Sequence, residues 1–220
     1  NMKLDLHTHS HYSHDAITKP ETVIKKSKQF GITFAITDHK TASAWPKLKE
    51  ISRKQNVPII FGEEIMTYND GKKFGEIIGL FLQQEIKPKN FAEVIDEIKS
   101  QDGLVLIPHP FDSFRHNFKA IDLIKNKIDL FEVFNARCYL NSFNSNALDF
   151  AKSSNLMQSA GSDSHTPQEY GNAFIEVEAL SLEDARKKLL KGQSKVFGKP
   201  AGIFPHIKTM LAKKNLLKDE

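Results

Sequence analysis

The sequence predicts an α/β fold, a TIM-like barrel of about seven strand–helix units with its active site at the C-terminal ends of the strands. Three observations predict it. Short apolar runs without polar alternation recur between amphipathic stretches along the 220 residues, the pattern of parallel strands buried on both faces. About seven such units close more naturally into a barrel than into an open sheet. Each cluster of histidine and acid follows directly on an apolar run: Leu4-Asp5-Leu6-His7-Thr8-His9, Thr37-Asp38-His39, Pro108-His109-Pro110 and Gly161-Ser162-Asp163-Ser164-His165. In a parallel barrel such positions gather at one end.

The elements read in order as follows. Residues 3–7 form a strand, and 20–30 a helix with Thr18 as candidate cap and Pro20 in its first turn. Gly31 ends that helix, 33–37 is the second strand, and 43–55 is helical in composition. An apolar strand begins at 57–61 after Asn56. Residues 76–82 read as a strand, 90–100 as a helix capped by Asn90, and 104–107 as a strand. A helix at 118–125, a strand at 129–134 and a helix at 142–153 continue the rhythm. Short strands at 157–160 and 173–177 precede a helix at 181–190, ended by Gly192. From 201 a connector leads to 206–218, a basic amphipathic tail helix expected to pack on the barrel, which divides the chain into a domain over 2–200 and a tail over 201–220.

A hydrophobic fraction of 40% is ample for a packed core, and 26% charged residues describe an ordinary soluble surface. No apolar run approaches the roughly 18 residues needed to span a bilayer. Nor does the chain open on a basic start and a long apolar stretch, so neither a signal peptide nor a membrane partner is expected. The single cysteine, Cys138, makes no internal disulfide; it suits a reducing cytoplasm and reads as a buried, inert thiol. Net charge is +4, and half of it comes from Lys208, Lys213, Lys214 and Lys218 against Asp219 and Glu220. That is too weak for a surface that coats nucleic acid, although it is compatible with an anionic small substrate.

Two imidazoles at i and i+2 point to the same face of a strand, so His7 and His9 can grip one ion together. Imidazole and carboxylate suit zinc, manganese and iron. At the strand ends the candidates are His7 and His9 on the first, Asp38-His39 on the second, Glu64 on the third, His109 on the fourth and Asp163-His165 on a late one. Taken alone, a strand-end histidine such as His109 reads as a hydrogen-bonded structural residue, as do His11, His14, His116 and His206. Asp38 reads as an orienter of His39, and Asp5, two residues before His7, as a support for an imidazole. Together, so many polar groups meeting in one pocket are costly without an ion to organise them.

In order, the motifs are a His-x-His, a Thr-Asp-His, the Gly-x-Glu of Gly62-Glu63-Glu64, an isolated His and an Asp-x-His. The series resembles the PHP family, named for polymerase and histidinol phosphatase, over roughly residues 3–200. The resemblance implies a distorted (β/α)7 barrel and a metal-dependent phosphoesterase with two or three divalent ions (Mn, Zn or Fe). It implies further that His7 and His9 bind the first metal with Asp163, that Glu64 bridges two metals, that His109 completes a second, and that Asp15, His39 and His165 hold a third. Glu63 competes with Glu64, but side chains alternate along a strand and only one of the pair faces the centre.

The sequence departs from the family pattern twice. A histidine usually follows on the next strand, where Gly75-Glu76-Ile77-Ile78-Gly79-Leu80 places Glu76; as a ligand it favours a harder metal, and as a solvated charge it leaves the second site weaker. In Ser13-His14-Asp15 either His14 or Asp15 faces inward, and the family's carboxylate favours Asp15.

Arg115 and Arg137 stand just beyond strand ends, and their planar forks suit the phosphate of a substrate; the competing reading is loop bracing, with Asp112 as a partner. Lys40 is a weaker candidate for phosphate. A clustered metal site activates water for in-line attack at phosphorus, with the general acid unassigned among His11, His14 and His165. The expected substrate is a small phosphomonoester or nucleotide. A nucleic-acid-trimming phosphodiesterase or exonuclease is the alternative, less favoured by charge, and a metal-binding module without catalysis is a third reading, kept open by Glu76.

Overall fold

The structure, a computed structural model, describes residues 1–202. The expected tail helix at 206–218, His206 included, lies outside the described residues.

Among the described residues nine strands form one sheet: β1 (Met2–Thr8), β2 (Ile32–Ile36), β3 (Ile60–Asn69), β4 (Lys72–Leu80), β5 (Leu104–Ile107), β6 (Leu130–Asn135), β7 (Gln158–Gly161), β8 (Ala173–Val177) and β9 (Ser194–Gly198). Their order is β7-β6-β5-β4-β3-β2-β1-β8-β9. The sheet curls back on itself, because the chain leaving β7 bonds to β1: Asp163 N–H donates to His7 O at 2.7 Å and His9 N–H to Ser164 O at 2.9 Å. Strands β1 to β7 thus enclose a nearly closed barrel, and β8 and β9 extend it from β1 as an antiparallel flap.

Six helices of the described residues connect and cover the strands: α1 (Pro20–Phe30), α2 (Trp45–Gln55), α3 (Phe91–Ser100), α4 (Ile121–Ile124), α5 (Asn141–Ser153) and α6 (Leu182–Leu189). Along β5, Leu104 and Leu106 pack with Leu4, Leu6, Ile78 and Leu130 on one face, while Val105 and Ile107 pack with Val94, Ile95 and Ile98 of α3 on the other. Burial on both faces is what the unpatterned apolar runs require.

Four expectations are corrected. The barrel is not uniformly parallel, for β4 runs antiparallel to both β3 and β5. The cause is Asp70-Gly71, whose φ values of 48° and 73° form the tight turn that joins antiparallel strands without a helix. Both strands are consequently longer than the readings at 57–61 and 76–82. The helix expected at 118–125 shrinks to α4 and a 3-10 turn at Lys125–Lys127. The stretch before it is bonded to β4 instead, with Glu76 N–H donating to His116 O at 2.9 Å and Lys119 N–H to Phe74 O at 3.3 Å. Thr18 does not cap α1: Lys19 holds that position, and Thr18 O accepts from His11 N–H. Strand β9 was not anticipated, since it is a largely exposed edge strand with little apolar signal. Asn90 does cap α3, accepting from Ala92 N–H at 2.9 Å.

Candidate metal centre

The first two histidines owe their aim to a bulge. Asp5 pairs with Phe34 and Thr8 with Ile36, so β1 carries one more residue than β2 across that interval. A bulge turns the residue after it to the other face. His7 and His9 therefore face the barrel interior above Leu4 and Leu6. Asp5 faces away and accepts from the N–H groups of His7, Ser162 and Gly171, holding β1, β7 and the start of β8 together. The expectation that Asp5 supports an imidazole directly is corrected by this bulge.

The β3–β4 register pairs Glu64 with Ile78 and Met66 with Glu76. Glu64 and Glu76 thus share one face, a diagonal step apart. His39 follows β2, His109 follows β5, and Asp163 and His165 follow β7; Asp15 comes from the loop after β1. Two of these residues hold positive φ without being glycine, His109 at 31° and Asp163 at 52°, backbone strain of the kind that collects at functional sites.

These side chains meet around Glu64. Its Oε2 lies 3.3 Å from His7 Nε2, 3.3 Å from His9 Nε2 and 3.1 Å from His39 Nδ1, and its Oε1 lies 3.0 Å from His109 Nε2. Asp163 Oδ1 is 3.5 Å from His7 Nε2 and 3.3 Å from His9 Nε2. Glu76 stands 3.7 Å from His39 Nδ1 and 4.0 Å from His109 Nε2. Asp15 bridges His165, at 3.4 Å, and His39, at 3.7 Å. Four triads have ligand atoms within 4.8 Å of one another: His7, His9 and Asp163; His7, Glu64 and His109; His39, Glu64 and Glu76; and His9, His39 and His165.

Outer hydrogen bonds fix how the rings present themselves. Glu132 accepts from His7 Nδ1 at 3.0 Å, and Asp163 O accepts from His165 Nδ1 at 2.8 Å. Ser13 Oγ donates to Asp38 Oδ1 and so accepts from His9 Nδ1, at 3.3 Å. With Nδ1–H engaged in each ring, Nε2 is the atom turned to the centre. Asp38 also accepts from Ser10 N–H and Ser10 Oγ, both at 2.6 Å, and Ser13 Oγ accepts from His39 N–H at 2.9 Å. Asp38 thereby ties the β1 loop to His39 without entering the cluster.

The electrostatics show a buried, strongly negative cage. Burial lowers His9 and His39 to about 4, keeping both rings neutral near pH 7. Burial also opposes charge on His7, yet Asp163, Glu132 and Glu64 together raise it well above the ordinary histidine range. Against burial, His39 and His7 hold the Glu64 carboxyl well below its ordinary value, and Arg115 and His7 do the same for Asp163. Burial and then the charge of Glu64 push Glu76 well above. Asp5 and Asp38 are both raised by burial to about 7.

Of the adjacent glutamates, Glu64 faces the centre, whereas Glu63 turns outward to accept from Ile86 N–H at 2.9 Å. Asp15 points in, while the side chain of His14 is 65% exposed. His11, His116 and Lys40 are exposed. Arg115 reaches the cluster: its Nη1 pairs with Asp163 Oδ2, its Nε with Asp112 Oδ2 at 3.1 Å and its Nη2 with Asn135 Oδ1 at 3.1 Å. Arg137 is buried beside Glu169, Nε to Oε1 3.4 Å. Glu169 in turn accepts from His165 N–H and from Thr166. Sequence reasoning missed Glu132, Asn135, Ser13 and Glu169, which bear on the candidate ligands through hydrogen bonds.

Divalent cations fit these residues. Asp15, Glu64, Glu76, Asp163 and Glu132 crowd one buried space, into which the cationic side chain of Arg115 is bonded. Buried carboxylates in such number require positive charge among them, and a mixed imidazole–carboxylate set suits zinc, manganese or iron.

Known proteins resemble this chain in sequence and in fold. The uncharacterized protein MJ0417 of Methanocaldococcus jannaschii is 34% identical over 190 residues, covering 83% of this chain and 73% of that protein. Among solved structures, a two-domain protein from Bacteroides vulgatus, containing a predicted PHP-like metal-dependent phosphoesterase, matches with a TM-score of 0.72 at 18% identity. That match covers 90% of this chain, and the chain spans 65% of the two-domain protein. The lesion-specific endonuclease Q of Pyrococcus furiosus shares the fold at a TM-score of 0.63 and 18% identity, over 89% of this chain and 57% of that one. The sequence matches the PHP domain family across residues 5–218, and the chain belongs to that family.

Proposed function

We propose that this chain is a phosphoesterase that hydrolyses a small phosphomonoester or nucleotide at a centre of two or three divalent ions (Mn, Zn or Fe). The observation that carries the reading is the convergence of four overlapping triads of ligand atoms, two of which contain Glu64. His7, His9, Asp163 and Glu64 would hold one ion, Glu64, His109 and Glu76 a second, and Asp15, His39 and His165 a third. Ions bound there supply Lewis acidity toward a phosphoryl oxygen and lower the pKa of water.

The chain's own groups do the rest. Buried His9 and His39 are neutral near pH 7 and need lose no proton to ligate. Arg115 has five N–H groups, and three bonds bind it to Asp112, Asp163 and Asn135, so its fork is held rigid with N–H directions left for a phosphate. Arg137 is the second proposed phosphate contact, braced by Glu169. Cys138, buried and free, suits a cytoplasmic setting. No helix of the described residues is long and apolar enough to cross a membrane.

A second reading, trimming of single-stranded nucleic acid, is favoured by one feature. Phe114 is 68% exposed beside Arg115, and it packs edge-on with Tyr139 at 6.1 Å and Phe143 at 5.8 Å. Exposed rings of this kind stack on bases.

Phosphate release from a panel of phosphomonoesters and mononucleotides, and nucleoside monophosphate release from a single-stranded oligonucleotide, with Mn²⁺ or Zn²⁺ added, tests both. Turnover of the small esters supports the first reading, and release from the oligonucleotide alone selects the second. No hydrolysis of any substrate by metal-loaded protein overturns both.

A further inference from the structure

Glu132 and Asn135 lie outside the ligand set, yet both are buried at its edge. They are three residues apart on a strand, a spacing that ordinarily places side chains on opposite faces. A second irregularity brings them together. Glu132 pairs with Ser159 and Phe134 with Ala160, so β6 carries an extra residue between them, and Asn135 Nδ2 donates to Glu132 Oε2 at 2.9 Å.

From there the pair reaches three strand ends. Glu132 Oε1 accepts from His7 Nδ1 at 3.0 Å, and Oε2 also accepts from His109 N–H at 2.7 Å. Asn135 Nδ2 donates to Asp163 Oδ2 at 3.1 Å, while its Oδ1 accepts from Arg115 and from Arg137 N–H. One bond sets a ring, another holds the strained backbone of His109, and a third places a carboxylate.

We propose that Glu132 and Asn135 are the positioning residues of the metal centre, which fix His7, His109 and Asp163 in register for a shared pair of ions. This rests on the reading of the cluster as a metal centre. The chemistry of the site demands a carboxylate rather than any polar group. Each neighbour of Glu132 (His7 Nδ1, His109 N–H and Asn135 Nδ2) is a donor. An isosteric amide must turn its NH₂ toward one of them. Facing His7, it forces the Nδ1 hydrogen to Nε2 and removes the lone pair aimed at the ion; facing His109 and Asn135, it opposes two donors.

Mn²⁺ titration calorimetry and metal analysis of wild type, Glu132→Gln and Glu132→Asp test the proposal, with melting temperature and circular dichroism of the metal-free proteins measured alongside. Glu132→Gln is expected to bind Mn²⁺ about 10- to 100-fold more weakly at near-wild-type secondary structure. Glu132→Asp keeps two acceptor oxygens on a shorter stem and is expected to lose less. Affinity of Glu132→Gln within twofold of wild type overturns the proposal, and so do equal losses in the two variants, which assign the effect to packing. Should Glu132→Gln fail to fold, Asn135→Ala is measured in the same way: about tenfold weaker binding is expected, and unchanged affinity overturns the proposal. Wild-type protein that binds no Mn²⁺ contradicts the metal-centre reading itself.

Discussion

The Nε2 atoms of His7 and His9 stand 3.1 Å apart, and both lie within 3.5 Å of the same Asp163 oxygen. Their Nδ1 hydrogens are engaged by Glu132 and Ser13. One cation fits between the two Nε2 atoms, either a proton or a metal. The negative field that raises His7 would also attract a metal ion, which on binding there would displace a proton.

His9→Ala and Asp163→Ala each remove one arm of that arrangement. Both are expected to lower kcat on a phosphomonoester by more than about 100-fold and to reduce the metal bound per chain, while circular dichroism stays close to wild type. Turnover retained by either variant contradicts the assignment of that residue.

Glu76→Gln separates a ligand from a buried burden. Burial, then the charge of Glu64, raises the Glu76 carboxyl well above the 4.5 of an unfolded chain. A raised folded-state pKa gives stability that is complete below pH 4.5 and lost as pH climbs toward the folded value, at about 1.4 kcal/mol per pH unit. With EDTA present, Glu76→Gln is expected to melt above wild type at pH 7.5, the gap closing toward pH 4.5. Adding Mn²⁺ reverses the order if Glu76 ligates. Thermal melts across that pH range, with and without metal, check both halves.

Gly161 is a glycine because His7 crosses it. A Cβ there would fall against the Cβ of His7 and 2.7 Å from Glu132 Oε1. Gly161→Ala therefore drives the two side chains apart, at a cost of about 1–3 kcal/mol of stability. Weaker metal binding accompanies it. Denaturant unfolding and Mn²⁺ titration measure the two effects, and unchanged metal affinity contradicts the close-approach account.

Arg115→Lys keeps the charge and loses the fork. Lysine cannot hold Asp112, Asp163 and Asn135 and still present paired N–H groups to a phosphate. A fall of about 100-fold in kcat/KM is expected, with weaker inhibition by inorganic phosphate. Steady-state kinetics and a phosphate Ki test it; an unchanged Ki removes Arg115 from the substrate site.

The barrel and the residues that meet in it were legible because both follow from local rules. Apolar runs declare buried strands, and His or Asp just past such a run points to the strand end. What escaped the pattern depends on register. Asp70-Gly71 carries a strong hairpin signal, but a uniform strand–helix rhythm read across it hid the antiparallel β4. The bulges at Asp5/Thr8 and Glu132/Phe134 add one residue each and reverse faces, which a period-2 reading cannot register. Asp5 was placed on the wrong face for that reason. Glu132 reads as an ordinary strand position, and Asn135 lies one residue past the strand read at 129–134. The pairing of Arg137 with Glu169 joins residues 32 apart in sequence that no local pattern connects.

The proposed centre, built on Glu64, is expected to hold more than one ion. Anomalous diffraction at the Mn and Zn absorption edges, from crystals grown with each metal, tests it most directly. Two or three peaks are expected, one in contact with His7, His9 and Asp163 and a neighbour sharing Glu64. Crystals of metal-supplemented protein with no peak at the cluster, or with a single peak that Glu64 does not touch, would contradict it.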